Sequence, residues 1–328
     1  MISRREFITL FGGATAALPL AARAQQPAMP VVGFFSGRSP DDSARYGAAF
    51  RKGLSTSGGI EGQGLMVEYH WLDGQYDQLP ALMADLVRRR VTVIAGIGVP
   101  IVLAAKAATA SVPIVFAVAD DPVGLGLVAS LARPGANATG INILSVEVVA
   151  KRLNLLRELL PKATRIAVLV NPTNGTNADS TLRDASEAAR ALGMQIHAIK
   201  ASTVGEVDAA FATMVRDQVD ALFVGADAFL ISRRVQIAIT AARHGIPTVA
   251  TERDVVEVGA LMSYGTDIED VYRQVGDYTG RVLKGAKPAE MPVQQATKFE
   301  FMINLTTARV IGLDLPAALL ARADEVIE

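Results

Sequence analysis

Two stretches of the sequence decide the fold. Residues 31–40 read VVGFFSGRSP and residues 165–174 read RIAVLVNPTN, so in each an apolar run of strand length leads into polar residues and a proline. A helical pattern follows both, over about residues 42–57 and about residues 178–192. Apolar runs that alternate with helical patterns indicate strand-helix-strand units and parallel sheets.

The units that follow the two stretches correspond one to one. Helical patterns at 75–89 and 204–215 follow the second strand of each half, and Pro113 and Pro247 open the fourth strands, a position that suits proline. Four matched units in each half predict an α/β fold of two doubly wound parallel-sheet lobes joined by a hinge. The second to fourth strands are predicted at 65–69, 91–95 and 113–118, and at 194–199, 221–224 and 247–250.

The chain is predicted to cross between the lobes three times. After the second crossing, a helix at 268–284 would pack on the first lobe. After the third crossing, a last helix at 306–311 would lie on the second lobe. The crossing segments are 133–137, 260–265 and 287–292. This gives a first lobe of residues 31–138 plus 264–290 and a second lobe of residues 139–263 plus 291–328.

The N-terminal residues have the three parts of an export signal. Arg4 and Arg5 precede an apolar run at 10–20 that is too short to span a bilayer, and residues 22–24 offer a small-x-small cleavage site. We predict a twin-arginine signal peptide, residues 1–24, cleaved after Ala24, then a linker, residues 25–30, and a periplasmic mature protein. An amphipathic helix and an uncleaved anchor are the alternatives.

Composition narrows the classes of function. The 328 residues include no cysteine, which excludes disulfides, thiolate zinc sites and a lipid-anchored cysteine. The formal net charge of −1 gives no electrostatic footprint for nucleic acid, and no later apolar run reaches the length of a membrane span. We expect no cofactor, no nucleic-acid partner and a monomer.

Motifs of common enzyme sites are incomplete. The sequence has no phosphate loop, the Gly-x-Gly at 96–98 stands alone, and Ser263 lacks the nucleophile elbow. Asp120 and Asp121 could act as acid and base, but neighbours on an extended strand point in opposite directions. These observations favour a binding protein. The alternatives are a periplasmic hydrolase that uses Asp120, Asp121 or Asp227, and a ligand-sensing domain.

Small, polar or acidic residues stand where the predicted strands end. Because a ligand crevice in such sheets lies beyond the carboxyl ends of the strands, these residues can line a cleft between the lobes. The same residue types cap helices, so capping is the alternative for each of them. The set comprises Ser36, Gly98, Asp120, Asp121, Pro122, Asn171 and Asp227.

Five groups of residues together resemble one protein family, and the resemblance spans essentially the whole chain. The chain is similar to the substrate-binding proteins of ABC transporters related to the tryptophan-binding TrpX group. The long block at 121–135, DPVGLGLVASLARPG, is the most specific of the segments. The others are 3–9 with 21–27, 71–77, 259–265 and 301–305.

The resemblance implies a type I periplasmic-binding fold that traps a ligand between its lobes. It also implies an ABC permease in the inner membrane as partner, and a small polar or aromatic, amino-acid-like ligand. By this likeness the ligand-binding residues would be Ser36, Gly98, Val99, Pro100, Asp121, Pro122, Asn171, Asn177, Asp227 and Tyr264. Loops 175–177 and 227–229 depart from the members that bind aromatic amino acids. Candidates for an apolar or aromatic wall are Phe35, Phe229 and Tyr264.

Overall fold

A computed structural model describes residues 29–41, 43–143 and 146–328 of the chain. The predicted export signal, residues 1–24, and the first part of the predicted linker lie outside these residues. Within the described ranges, no helix has both the length and the apolar character needed to cross a membrane.

Strands and helices alternate along most of the described chain. The strands are β1 (Val31–Ser36), β2 (Met66–Trp71), β3 (Val93–Ile97), β4 (Ile114–Val118), β5 (Ala138–Asn142), β6 (Arg165–Val170), β7 (Gln195–Lys200), β8 (Ala221–Val224), β9 (Thr248–Ala250), β10 (Met262–Thr266), β11 (Gln294–Gln295), β12 (Phe299–Asn304) and β13 (Glu325–Ile327). The helices are α1 (Ala44–Thr56), α2 (Leu79–Arg89), α3 (Val99–Ala108), α4 (Val146–Leu159), α5 (Gly175–Ala191), α6 (Val204–Arg216), α7 (Ala228–Ser232), α8 (Arg234–Arg243), α9 (Arg253–Glu257), α10 (Ile268–Leu283), α11 (Leu305–Val310) and α12 (Ala317–Leu320).

The strands form two separate sheets, one in each lobe. The first sheet has the order β11-β5-β4-β3-β1-β2, and its strands pair in parallel. The second has the order β13-β12-β10-β9-β8-β6-β7, in which only the β10–β12 pair is antiparallel among the described strands. The two doubly wound parallel-sheet lobes predicted from the sequence are confirmed.

Buried apolar side chains cover both faces of each sheet. In the first lobe Phe34 contributes to the core beneath α1 and α10, whereas its neighbour Phe35 contributes to the core beneath α2 and α3. Both side chains are fully buried. A parallel strand that is covered on both faces reads as a continuous apolar run, and this explains the pattern of residues 31–35.

Helices α1 and α10 contact each other through glycine. A Cβ atom built on Gly53 of α1 would overlap the carbonyl oxygen of Arg273, and one on Gly276 of α10 would overlap that of Phe50. The two backbones therefore approach more closely than any side chain would allow, which fixes α10 on the first lobe.

The chain crosses between the lobes a few residues later than the sequence analysis placed the crossings. Strand β5, which begins at Ala138 and was assigned from residue 139 to the second lobe, pairs with β4 in the first sheet. Strand β10 extends to Thr266 in the second sheet, and β11 pairs with β5 in the first. The crossings thus follow β5, β10 and β11. The proposed bounds at 138, 263 and 290 need correction, because the partner of a strand and not its local sequence decides its lobe.

Candidate functional site

A cavity of about 170 Å³ lies between the lobes, at the carboxyl ends of the strands. This is roughly ten times the space that one water molecule needs. Both sheets contribute to its wall, through Ser36 and Gly98 from the first lobe and Phe223 and Asp227 from the second. The cavity occupies the position at which a doubly wound sheet binds its ligand.

Five of the ten residues predicted to bind a ligand line this cavity. Ser36 ends β1, and its hydroxyl lies 2.7 Å from the hydroxyl of Tyr272 on α10. Gly98 precedes α3 with a φ of 111°, a backbone conformation that glycine adopts without strain. The five are Ser36, Gly98, Val99, Asn177 and Asp227.

The Asp-Pro turn of the first lobe does not reach the cavity. Asp121 is exposed, and its carboxylate accepts hydrogen bonds from the amides of Val123 and Gly124, each at 3.0 Å. Pro122 is buried in this turn, and Pro100 lies in the first turn of α3 outside the described cavity lining. The sequence predicts these residues at the ligand, whereas in the structure the aspartate stabilises a turn.

Asn171 and Asp227 hold each other and the start of α7. The Asp227 carboxylate accepts hydrogen bonds from the Asn171 amide at 2.9 Å, the Asn174 amide at 3.0 Å and the Phe229 backbone amide at 2.9 Å. Asn171 is buried behind Asp227 and is not among the described residues of the cavity wall. Asn171 supports Asp227, and its Oδ1 accepts hydrogen bonds from the backbone amide and hydroxyl of Thr173, so it stabilises the turn after β6. Asp227 both caps α7 and lines the cavity.

The aromatic wall consists of other residues than the sequence analysis expected. Phe35 is fully buried against His70, with ring centroids 4.4 Å apart, and Phe229 packs on the second lobe's core. Tyr264 stacks on Phe299, with centroids 6.1 Å apart, and does not line the cavity. The aromatic residues that do are Tyr76, Phe223 and Tyr272.

Arg152 of α4 is a buried cation in the cavity wall, and the sequence analysis did not identify it. Only 7% of the residue is exposed, and its Nε donates a hydrogen bond to the carbonyl oxygen of Tyr264. No carboxylate of the described chain lies within 4 Å of its guanidinium, which sits 5.6 Å from the centre of the Phe223 ring. Burial lowers the pKa of Arg152 to about 9, so the side chain stays charged at neutral pH.

Two carboxylates line another part of the wall. Asp120 follows β4 of the first lobe, and its Oδ2 is buried without a hydrogen-bond partner in the described structure. Burial first, and then the proximity of Asp184 on α5, raise the pKa of Asp120. Burial also raises the pKa of Asp184, which pairs with the largely exposed Arg183 at 3.3 Å. Asp120 is one of the strand-end residues that the sequence suggests for the cleft, and it lines the cavity.

The hydroxyls of Thr251 and Thr266 are also buried without a partner in the described structure. Both residues line the cavity, at the ends of β9 and β10. A Cβ atom on Gly265 would overlap the Thr251 carbonyl oxygen and lie 3.1 Å from Nη2 of Arg152, so the Thr251 backbone and the Arg152 guanidinium lie close together. Buried polar groups normally have partners, and such groups at a cavity indicate a binding site.

Beside the cavity, charged residues of the two lobes pair with each other. We call this group the interlobe ion cluster, and Asp254 of the second lobe is at its centre. Its carboxylate accepts hydrogen bonds from Arg38 at 3.1 Å, from the Tyr46 hydroxyl at 2.7 and 2.9 Å, and from Arg45. The members are Arg38, Arg45 and Tyr46 of the first lobe and Glu252, Asp254 and Glu257 of the second.

Three comparisons relate the chain to known proteins. A sequence model of the family described as ABC transporter substrate binding protein matches residues 31–327. A curated tyrosine-binding protein of Clostridioides difficile (strain R20291) is 29% identical over 273 residues, which cover 83% of this chain and 77% of that protein.

Solved structures share the two-lobed fold. A conserved domain protein from Vibrio cholerae superposes with a TM-score of 0.84 at 29% identity, over 91% of this chain and 99% of that one. An ABC domain from Streptococcus pneumoniae in complex with L-Trp superposes with a TM-score of 0.83 at 23% identity, with the same coverage.

Proposed function

The chain belongs to the family of ABC transporter substrate-binding proteins, and from this premise we propose that it is the extracytoplasmic component of an importer for amino-acid-like solutes. In this proposal the solute enters the open cleft, and the lobes close on it. Only the closed arrangement contacts the solute from both lobes, so binding stabilises closure.

The observation that carries the proposal is the set of unpaired polar groups in the cavity wall. The Oδ2 of Asp120 and the hydroxyls of Thr251 and Thr266 are buried there without a hydrogen-bond partner among the described residues. Arg152 donates a hydrogen bond to the Tyr264 carbonyl oxygen but has no carboxylate partner in the described part of the chain. A solute with polar groups would supply those partners, and the apolar remainder of the wall would cover its side chain. Two relatives support the solute class, since one is named a tyrosine-binding protein and another was solved with L-Trp.

The location and partner belong to the same proposal. The N-terminal residues 1–24 would direct export by the twin-arginine route, and the released protein would act in the periplasm as a monomer. It would deliver its solute to an ABC permease in the inner membrane. The predicted signal and the family support this reading.

The proposal includes release of the solute without chemical change. Two of the three carboxylates suggested for a hydrolase are engaged by the protein itself, since Asp121 holds an exposed turn and both oxygens of Asp227 accept hydrogen bonds from neighbouring groups. Asp120 lines the cavity, but its acidic neighbour Asp121 does not. A substrate-binding role accounts for these placements better than acid-base catalysis.

A thermal-shift screen tests the function. Protein lacking residues 1–24 is mixed with each of the twenty amino acids, with glucose and with adenosine, and recovered solute is analysed by mass spectrometry. At a hundredfold excess over Kd a ligand adds about 2.7 kcal/mol of stability, which raises Tm by several degrees. We expect at least one amino acid to do so and to be recovered unchanged. A response to glucose or adenosine alone, or a converted product, contradicts the proposal.

A further inference from the structure

The cavity has a positive pole in the second lobe. Arg152 keeps its charge there without a carboxylate partner in the described structure. Burial lowers the pKa of Arg152 and the charge of the Glu252 carboxylate offsets this in part, but the hydrogen bond of Glu252 is to Arg38. The free hydroxyls of Thr251 and Thr266 line the same cavity as Arg152, and the Thr251 backbone meets the Arg152 guanidinium beside Gly265. One guanidinium and two hydroxyl donors form a suitable site for a carboxylate.

The negative pole combines both lobes. Asp120 comes from the first lobe, and its buried Oδ2 lacks a donor in the described structure. Asp184 and Ser180 come from α5 of the second lobe and line the same cavity. The cation that acts on both carboxylates is Arg183, whose side chain is 68% exposed, so it neutralises them only in part. Buried carboxylates of this kind are suited to an ammonium group.

We propose that the cavity binds a zwitterionic α-amino acid in one orientation, with its carboxylate at Arg152, Thr251 and Thr266 and its ammonium group at Asp120 and Asp184. This inference rests on the proposed function and specifies how the solute is recognised. Asp120 and Arg152 belong to different lobes, so a ligand that carries both charges connects the lobes. A ligand with one charge leaves the other pole unpaired, which is costly in a buried site.

The test crosses three ligands with two variants. The ligands are L-tyrosine, tyramine, which lacks the carboxylate, and 3-(4-hydroxyphenyl)propanoate, which lacks the ammonium group. If the thermal-shift screen selects another amino acid, its own amine and acid replace this set. We expect the wild-type protein to bind each one-charge analogue at least about 30-fold more weakly than the amino acid in isothermal titration, as for loss of one partner of a buried charge pair.

The two variants should then respond in opposite ways. Arg152→Met should weaken binding of the amino acid by at least about 30-fold. Its affinity for the amine should be nearly unchanged, because the amine has no carboxylate to pair with Arg152. Asp120→Asn should weaken binding of the amino acid by a similar factor. Its affinity for 3-(4-hydroxyphenyl)propanoate, which has no ammonium group, should be nearly unchanged. Lys151→Met, next to Arg152 on α4, and Asp179→Asn, exposed on α5, remove equal charges outside the cavity wall and should leave all three affinities unchanged.

The outcomes separate this inference from the proposed function. If both variants weaken all three ligands equally, the residues have a structural role only, and the zwitterion inference fails while the function stands. The zwitterion inference also fails if the wild-type protein binds the amino acid and either analogue with equal affinity. If none of the twenty amino acids binds, the proposed function fails, and this inference fails with it.

Discussion

The two lobes contact each other in two regions of opposite character. In the interlobe ion cluster the buried charges have partners, and Asp254 alone accepts bonds from Arg38, Arg45 and Tyr46. In the cavity, Arg152 and the Oδ2 of Asp120 have no charged or hydrogen-bonding side-chain partner among the described residues. The first region stabilises the contact of the lobes without a ligand, whereas the second opposes it until a ligand arrives. Where these two contributions are similar in size, closure is sensitive to the solute.

Removal of the central acid should have the largest effect on this balance. Asp254→Ala leaves Arg38 and the Tyr46 hydroxyl buried without this partner, a change that costs about 3–5 kcal/mol when the lobes stay together. The protein can avoid this cost by opening, so we expect a larger radius of gyration in small-angle scattering and ligand affinity reduced by at least tenfold. Glu257→Ala removes a half-exposed member of the cluster and should cost less than about 1 kcal/mol. Equal behaviour of the two variants would contradict the central role of Asp254.

A smaller effect should follow from a methyl group at the positive pole. In Gly265→Ala the new Cβ would overlap the Thr251 carbonyl oxygen and press on Nη2 of Arg152. We expect a loss of about 1–3 kcal/mol in the free energy of unfolding, from denaturant titration, and weaker binding of the amino acid, although no charge is removed. Gly175→Ala, where the new Cβ would meet no neighbouring atom within 4 Å, is the control and should change neither quantity by much. If Gly265→Ala changes neither the free energy of unfolding nor the affinity, the backbone around Arg152 can accommodate a methyl group.

The smallest expected effect is a pH dependence that differs between the liganded and free protein. Burial raises the pKa of Asp120 above its ordinary value, so its protonated form favours folding. That contribution is present below the ordinary pKa and is lost as the pH rises through the raised pKa. Unliganded Asp120→Asn should therefore melt a few degrees higher than wild type at neutral pH, with the difference vanishing in acid.

Ligand affinity should change with pH in the other direction. Protonated Asp120 cannot pair with an ammonium group, so wild-type affinity for the amino acid should fall as the pH drops through the raised pKa. The affinity of Asp120→Asn should vary less over that range. Isothermal titrations from acid to neutral pH check both trends. If the affinity of the two proteins depends on pH in the same way, Asp120 does not pair with the ammonium group.

The architecture was predictable from the sequence, because strands buried on both faces read as apolar runs and helices follow them at regular spacing. The sequence does not predict which lobe contains β5, because Ala138–Asn142 could join either sheet. Its pairing with β4 places it in the first lobe. Half of the predicted site residues line the cavity, because strand ends mark the rim. The sequence does not show which rim residues point inward, and so Asp121 and Asn171 were placed at the ligand although they stabilise a turn and a cap.

Arg152 gave no signal in the sequence for a physical reason. It lies in VEVVAKRLNLLREL, residues 146–159, where an arginine beside Lys151 and among mixed polar and apolar residues is typical of any surface helix. Its burial results from packing near Phe223 and Tyr264, which are 71 and 112 positions further along the chain. The same holds for Thr251 and Thr266, whose lack of partners depends on where the lobes meet.

The glycine contact between α1 and α10 has a consequence for the order in which the protein is made. Helix α1 ends at Thr56 and α10 begins at Ile268, so roughly 210 residues of chain are synthesised before α1 can meet its partner. At about 5–20 residues per second this is a delay of roughly ten to forty seconds. During that time the first lobe lacks both α10 and β11. A nascent chain of this protein therefore exposes an unfinished lobe until most of its length has left the ribosome.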